Sequence, residues 1–538
     1  MSWPAATRLI CPLTADNVRQ MRADMTAAAS AGADMVECRL DYLATVPAEG
    51  DLELLLRDPP LPVIVTCRAA SQGGLFKADE KRRLQVLHAA AKFKPAFIDV
   101  EYGTMRGNWP AAPIILSYHD FARMPPDIRR LAHDLDASDA AVNKIAFAAA
   151  GPQEALEAMD ILRHCRKPTI CLAMGMAGLP SRVMARKFKA FGTFAALGEG
   201  GQSAPGQPTI EEFRRLYRWD SIGPRTSLLG VIGCPVEHSM SPAIHNAAFD
   251  AAGLDAVYLP LRIEPGRENF NRFMDALLAR PWLDWRGLSV TIPHKEAALA
   301  YVGDANCDEL ARRIGAVNTI TIQRGTGVER GTGVSPASGT GVSPASSAGV
   351  SPASSAGVSP ASLRGDNTDY AAAIDALCQA MRIERSGLGG RSVAVLGAGG
   401  VARAIVAALA HYGAEVTIYN RTVERAAALA EEFRCRAAAL GEAAGTHAQI
   451  LINCTSIGMH PKVGEGPLAA IPPSVKVVFD TIYNPIQTHL LHQAKGAGCL
   501  CVSGLEMFVN QAVAQFEIWT GRPAPREVMR RVVVERLS

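Results

Sequence analysis

Lys144 stands between apolar residues in "VNKIAF", and His119 closes the preceding apolar run, "PIILSYHDF". A desolvated lysine gives up its charge more readily than a solvated one, and a neutral amine attacks a ketone to form an imine that serves as an electron sink. A histidine beside it can remove the acidified proton and return it to a leaving hydroxyl. The plainer alternative is a strand-end lysine whose stem lies on apolar surface and whose head reaches water. Farther along, Lys295 in "SVTIPHKE" and Asp369 in "GDNTD" offer a proton donor and a carboxylate to orient it, as hydride transfer to a ketone requires; an exposed ion pair is the alternative. Ser239 and Ser241 in "HSMSP" can aim two hydroxyls at one carboxylate, or simply cap a helix ahead of Pro242.

A third pattern is "GAGGVA": Gly397, Ala398, Gly399, Gly400, Val401 and Ala402. It follows the strand-like "SVAVL" and opens the helix-like "VARAIVAALAHY", the context in which G-x-G-x-x-G/A puts backbone amides and a helix N-terminus on a pyrophosphate. An NAD site would end the next strand in Asp or Glu, whereas "VTIYNRT" offers Asn420, Arg421 and Thr422, with Arg425 close behind. This favours the 2′-phosphate of NADP.

These residues need elements to hold them. From residue 8 to about 220, eight β-rich runs alternate with amphipathic stretches: "TRLICPL", "MVECRLDYL", "PVIVTCR", "AFIDVEY", "PIILSYHDF", "AVNKIAF", "TICLAMG" and "FGTFAAL". The pattern predicts a closed (β/α)₈ TIM barrel over 1–222, with functional side chains at the C-terminal strand ends. Glu37, Arg39, Arg68, Glu101, His119, Lys144, Met174 and Met176 fall there. A smaller α/β unit over 228–324 follows, then an insertion at 325–362, a return segment at 363–388, a Rossmann domain at 389–505 and helices at 506–538 that pack back on the α/β unit. From 331 to 362 the insertion is nearly one octapeptide written four times, "GTGVSPASGTGVSPASSAGVSPASSAGVSPAS", with nothing apolar larger than Val. It cannot bury enough surface to offset its ordering entropy, and it is expected to be a disordered spacer.

Composition narrows the classes. With 55 Lys+Arg against 52 Asp+Glu, a formal charge of +3 leaves no electrostatic footprint for nucleic acid. No apolar run reaches bilayer length, and the N-terminus lacks the pattern of a signal peptide. The cysteines form no C-x-x-C pair and several sit in apolar runs, which predicts reduced core thiols in a cytoplasmic protein. No metal site is expected.

The first 220 residues resemble the type I 3-dehydroquinate dehydratases, through "ECRLDYL", "TCR", "DVE", "SYHDF", "KIA", "MGMAGLPSR" and "SAPGQPT". The resemblance implies Lys144 as the Schiff-base lysine and His119 as general acid and base. Glu37, Arg39, Arg68, Met174, Met176, Arg182, Ser203 and Gln207 would line the pocket. One departure stands out: where that family shows Glu-Gly-Gly after the "TCR" strand, this chain reads "SQGG". Gln72 keeps the hydrogen bonds but loses a charge, which implies a lower His119 pKa and a displaced pH optimum.

Residues 228–538 resemble shikimate dehydrogenases through "HSMSP", "SVTIPHKE", "GAVNT", "GDNTD", "NCTSIGM" and "SGLEMFVNQ", and the whole chain resembles the fused dehydratase–dehydrogenases of plants. Lys295 and Asp369 would be the catalytic pair, with Ser239, Ser241, Thr291, Asn318 and Gln511 on shikimate and Tyr483 close by. Thr455, Met459, Gly504 and Met507 would neighbour the cofactor, NADP. In that family "GAVNT" and "NTD" are joined by a short hairpin, so the repeat is expected at a hairpin tip. The implied partners are small-molecule substrates alone; the resemblance leaves open a quinate dehydrogenase activity and a non-catalytic sensor of the same metabolites.

Overall fold

The computed structural model describes residues 6–323 and 362–537; the repeat tract, and with it the expectation of a disordered spacer, lies outside them. The first eight strands are β1 (Arg8–Leu13), β2 (Met35–Arg39), β3 (Val63–Thr66), β4 (Phe97–Glu101), β5 (Ile114–Asp120), β6 (Val142–Ala148), β7 (Thr169–Met174) and β8 (Gly192–Phe194). All pair in parallel, in the order β7-β6-β5-β4-β3-β2-β1-β8. The barrel is near-closed: β8 is three residues long and ladders only with β1. The chain then leaves the sheet through a bridge between Ala196 and Thr209, so the longer eighth strand expected from "FGTFAAL" stops at Phe194.

The two-residue period of a strand explains the barrel's chemistry. Ile10, Met35, Ile64, Phe97, Ile115, Val142 and Ile170 form a buried apolar layer inside its lower half. Two residues farther along five of these strands stand Glu37, Thr66, Asp99, Ser117 and Lys144, all buried. Successive inward positions thus change from a packed floor to a charged ceiling at the C-terminal ends.

The second sheet comprises β9 (Ser227–Gly233), β10 (Ala256–Arg262), β11 (Trp285–Val290), β12 (Thr319–Gln323) and β13 (Ser362–Asp366), in the order β10-β9-β11-β12-β13. β12 and β13 are antiparallel, with Gln323 opposite Ser362: the two legs of the expected hairpin, with the insertion between them. The helices Gly504–Thr520 and Arg526–Leu537 bury Leu505, Val509, Phe516, Met529 and Val533 against Leu229, Val231 and Tyr258 of this sheet. The third sheet is parallel throughout: β14 (Ser392–Leu396), β15 (Glu415–Asn420), β16 (Arg436–Ala439), β17 (Ile450–Asn453), β18 (Val477–Asp480) and β19 (Leu500–Ser503), in the order β16-β15-β14-β17-β18-β19.

Barrel and second sheet are fastened together. One apolar cluster runs from Leu9 to Ile322 through both. Arg280 donates to Asp160 at 2.7 and 2.9 Å, and Trp282 meets Phe188 edge to face at 5.4 Å. Among the described residues no helix is long and apolar enough to cross a membrane.

Candidate active sites

The first site fills the barrel mouth. Lys144 is 4% exposed, and its Nζ donates to Glu37 Oε1 at 2.9 Å and Asp99 Oδ2 at 3.1 Å while lying 4.4 Å from the centre of the Phe194 ring. This is not the purely apolar setting that "VNKIAF" suggests, because Lys144 points inward to the carboxylates of β2 and β4 while Ile145 and Phe147 point to the outer core. Arg68 binds Asp99 at 2.8 Å, Glu101 at 3.2 Å and Ser117 Oγ at 2.7 Å. Burial pushes the Asp99 carboxyl up, but Arg68 and then Lys144 outweigh it and hold the group well below the usual carboxylate range. Arg39 is locked bidentately on Asp41 at 2.8 and 2.9 Å.

His119 shares the inward side of β5 with Ser117, the residue registered against Lys144. Its Nδ1 is buried without a partner among the described residues. Burial, then the charges of Arg68 and Lys144, hold the imidazole well below the ordinary histidine range, so it is a neutral base at pH 7. Two further donors have no partner among the described residues: Arg182 Nε and Gln207 Nε2. Burial draws the Arg182 guanidinium down to about 10, the cost of holding a cation out of water until an anion arrives. Met174 and Ser203 line the same pocket, whereas Met176 faces a neighbouring cavity.

The second site lies along one edge of the five-stranded sheet. β9 and β11 are parallel, and β13, being antiparallel to β12, runs with them. The C-terminal ends of β9, β11 and β13 and the start of β12 therefore meet at that edge, which gathers Ser239, Thr291, Asp369 and Asn318 from distant sequence. Lys295 opens the helix Lys295–Val302, Asp369 lies in the first turn of the helix Thr368–Met381, and Nζ donates to Oδ2 at 2.5 Å. Asn318 accepts from Thr368 N at 2.7 Å and is 1% exposed, so its amide also anchors the helix that carries Asp369. Ser241 N donates to Ser239 Oγ at 3.3 Å, and Tyr483 stacks on Phe508 at 4.5 Å.

The parallel sheet reverses its strand order at β14 and β17, and a crevice at such a point is where dinucleotides bind. Gly397 turns there with φ +107°, and a Cβ on it would lie 3.1 Å from Cys454 O and 3.3 Å from the Thr455 methyl. Gly399 caps the helix Gly400–His411, and neither Gly399 nor Gly400 has an atom within 4 Å of its Cβ position, leaving the helix N-terminus open. Val401 and Met459 are exposed beside it; Ala402 is buried in the helix–sheet contact. At the end of β15, Asn420 binds Thr422 O at 2.8 Å, while Arg421 and Arg425 are exposed and in no ion pair among the described residues. An open helix N-terminus, two exposed arginines and a strand that ends in Asn420 rather than an acidic residue fit NADP. Met507 is packed into the Rossmann core. Gly504 is held by close packing, its Cβ position being 2.4 Å from Thr481 O and Ile482 O.

Residues 9–224 match the model of the type I 3-dehydroquinase family. Residues 231–320 match the shikimate dehydrogenase substrate binding domain, 380–471 shikimate/quinate 5-dehydrogenase, and 504–534 the shikimate 5′-dehydrogenase C-terminal domain. A chloroplastic bifunctional 3-dehydroquinate dehydratase/shikimate dehydrogenase of Arabidopsis thaliana is 36% identical over 97% of this chain and 83% of its own length. The chain belongs to this bifunctional family. Its dehydrogenase half is 39% identical to a shikimate dehydrogenase (NADP(+)) of Methanosarcina acetivorans, over 58% of this chain and 99% of that one. A Thermus thermophilus shikimate dehydrogenase solved with NADP(H) and shikimate is 32% identical, covering 58% of this chain and all of its own (100%), with a TM-score of 0.45.

Several residues outside the expected sets stand beside them in both halves. Asp99 bridges Lys144 and Arg68 in the dehydratase site, and Phe194 faces the lysine; the two-residue spacing from Phe97 to Asp99 to Glu101 was the available signal. In the dehydrogenase half Gln515 binds Asn318 O at 3.3 Å and Thr319 Oγ1 at 3.0 Å and accepts from Ser289 Oγ at 2.7 Å. It lies one helical turn beyond the predicted Gln511. Gln72 accepts from the His119 main-chain N–H at 3.1 Å, so its amide steadies the strand end rather than the ring.

Proposed function

We propose that the chain dehydrates 3-dehydroquinate to 3-dehydroshikimate at Lys144 and reduces that product to shikimate at Lys295 and Asp369. The observation that carries the first step is a buried lysine held between two carboxylates beside a neutral histidine. As Nζ attacks the substrate ketone, a flanking carboxylate takes up the amine proton, and loss of water from the carbinolamine leaves the imine. His119 removes the proton next to the imine carbon; the resulting enamine expels the neighbouring hydroxyl, to which His119 returns the proton, and water releases the product from Lys144. Arg182 and Gln207, with donors unspent, are suited to the substrate carboxylate and hydroxyls. Arg39 and Arg68, already paired, shape the field around them.

In the second half Lys295 hydrogen-bonds the ketone oxygen and supplies its proton, and Asp369 fixes the lysine's direction. Ser239 and Ser241 hold the carboxylate, with Thr291, Asn318, Gln511 and Tyr483 around the ring hydroxyls. NADPH, when bound, would supply the hydride; Gly397–Val401 and Arg421 would hold its phosphates, and Thr455 and Met459 would neighbour its nicotinamide. Retention of the paired serines favours shikimate over quinate, a preference read from the two kcat/KM values. All twelve cysteines are free, which supports a reducing compartment and hence the cytoplasmic placement. Purified chain given 3-dehydroquinate and NADPH should form shikimate with matched NADPH consumption. Failure to make 3-dehydroshikimate, or to reduce it when it is supplied directly, contradicts the corresponding half.

A further inference from the structure

Ser239 and Ser241, the two serines proposed to hold the substrate carboxylate, are fixed in different ways. Ser239 Oγ accepts from the Ser241 main-chain N–H at 3.3 Å, so the backbone itself sets its place. Ser241 opens the helix Ser241–Ala251, and a serine there can turn its hydroxyl onto the local backbone instead of into the cleft. The group that bears on it is Tyr258 of β10, which is fully buried. Burial pushes this phenol up, and hydrogen bonds with Ser289 and Ser241 oppose the rise. We propose that Tyr258 is a positioning residue of the second site, whose hydroxyl holds Ser241 in the rotamer that meets a carboxylate. The proposal rests on the reading of this half as a shikimate dehydrogenase.

The phenol can do this because a buried chain of hydrogen bonds sets its own direction. At the far end Gln515 Nε2 donates to Asn318 O at 3.3 Å and to Thr319 Oγ1 at 3.0 Å. The Asn318 main-chain carbonyl only accepts, so the Gln515 nitrogen must face it and Oε1 must face Ser289. Oε1 in turn only accepts, so the single Ser289 proton goes to it, at 2.7 Å. Ser289 Oγ is left as an acceptor, and Tyr258 donates to it at 2.6 Å. With its one proton spent, the phenol oxygen offers Ser241 lone pairs alone, and the Ser241 hydroxyl stays turned to it until a carboxylate competes.

The ring that carries the hydroxyl is held as well. It stacks on His245 at 4.5 Å and lies 6.1 Å from Trp519. Exchange of the phenol for a carboxylate oxygen then takes only rotation of the Ser241 proton about Cβ–Oγ, with no side chain to be ordered first. The chain also reaches the reacting end of the site. Thr319 Oγ1 donates to Asn318 Oδ1 at 2.9 Å, and that oxygen accepts from Thr368 N, at the start of the helix that carries Asp369. One buried network therefore braces the serine that meets the carboxylate and the helix that orients Lys295.

The test is a double-mutant cycle in the full chain, read in shikimate oxidation. Tyr258→Phe removes one oxygen and keeps the stacked ring. It should raise the KM for shikimate roughly 3- to 30-fold, since the bond from Ser241 to the carboxylate is loosened rather than deleted. Because the lost interaction serves substrate and transition state alike, kcat should stay within about twofold and the KM for NADP should not change. Ser241→Ala should raise the shikimate KM further, and Tyr258→Phe added to it should have no additional effect, because the phenol acts through that hydroxyl. A merely structural role would instead lower kcat and the melting temperature equally in both backgrounds. An unchanged shikimate KM in Tyr258→Phe, the same rise with Ser241 already removed, or loss of the fold in Tyr258→Phe overturns the proposal. Wild-type chain that does not oxidise shikimate would sink the dehydrogenase reading beneath it.

Discussion

The two active sites solve opposite problems. The proposed dehydratase site lies inside a barrel, where Lys144, Glu37, Asp99, Arg68 and Glu101 form a continuous buried charge lattice. The proposed dehydrogenase site centres on one partly exposed ion pair, Lys295 with Asp369, at a sheet edge. A chain that forms a covalent bond with its substrate needs a desolvated nucleophile and groups to manage its protons, and a barrel supplies both without moving large parts. A chain that uses a diffusible hydride carrier needs a cleft both molecules can enter and leave, so its polar groups are fewer and wetter. Independence of the two designs follows: damage to one should leave the other intact.

The sharpest way to break that contrast is Lys295→Ala, which should lower kcat for shikimate oxidation roughly 10²- to 10⁴-fold, the usual weight of a general acid, with dehydration unchanged. A parallel fall in dehydratase turnover would mean that the halves are coupled through their folding. Arg421→Ala removes a charge-assisted contact and should cost NADP about 10- to 100-fold in kcat/KM while barely affecting NAD. Unchanged preference would move the phosphate site to Arg425 or elsewhere.

A smaller effect tests His119. Its folded-state pKa lies below the unfolded value of about 6.5, so the base stays neutral and the acid limb of dehydratase kcat/KM should fall below that pH. For the same reason its contribution to stability is complete above about 6.5 and is lost as the pH falls below it, because the unfolded chain then binds the extra proton. Gln72→Glu brings a carboxylate near the ring and should raise the acid limb by about one unit. An acid limb in wild type already above 6.5 would contradict the assignment. The smallest effect belongs to the hairpin. Replacing 324–361 by Asn-Gly, directly between the paired Gln323 and Ser362, should leave both activities unchanged and shift stability by about 1 kcal/mol or less. A large drop in shikimate oxidation would show that the tract shapes the edge bearing Asn318 and Asp369.

Much of this was legible in the sequence because strand period and turn glycines are local properties. All eight barrel strands, the glycine turn before the helix Gly400–His411, and the adjacency of Asn318 and Asp369 across a long insertion follow from local patterns and the family resemblance. The carboxylates around Lys144 did not, since its neighbours along "VNKIAF" are mostly apolar, Val142 and Ala146 among them facing inward as it does, while its charged partners come from β2 and β4 and its aromatic one from β8. Asp99 was hidden because an inward carboxylate in "FIDVE" looks like any alternating strand residue until the barrel closes around it. Met176 and Ala402 carry motif positions but face a neighbouring cavity and the helix–sheet contact, which depends on tertiary direction rather than spacing.

The most direct test of the proposed covalent site is borohydride reduction in the presence of 3-dehydroquinate, followed by mapping of the modified peptide. Hydride from borohydride converts an imine to a stable secondary amine. The expected result is one adduct, on Lys144, with dehydratase activity lost in proportion to labelling and shikimate oxidation retained. An unmodified Lys144 peptide alongside full turnover, or an adduct on Lys295 instead, would contradict it.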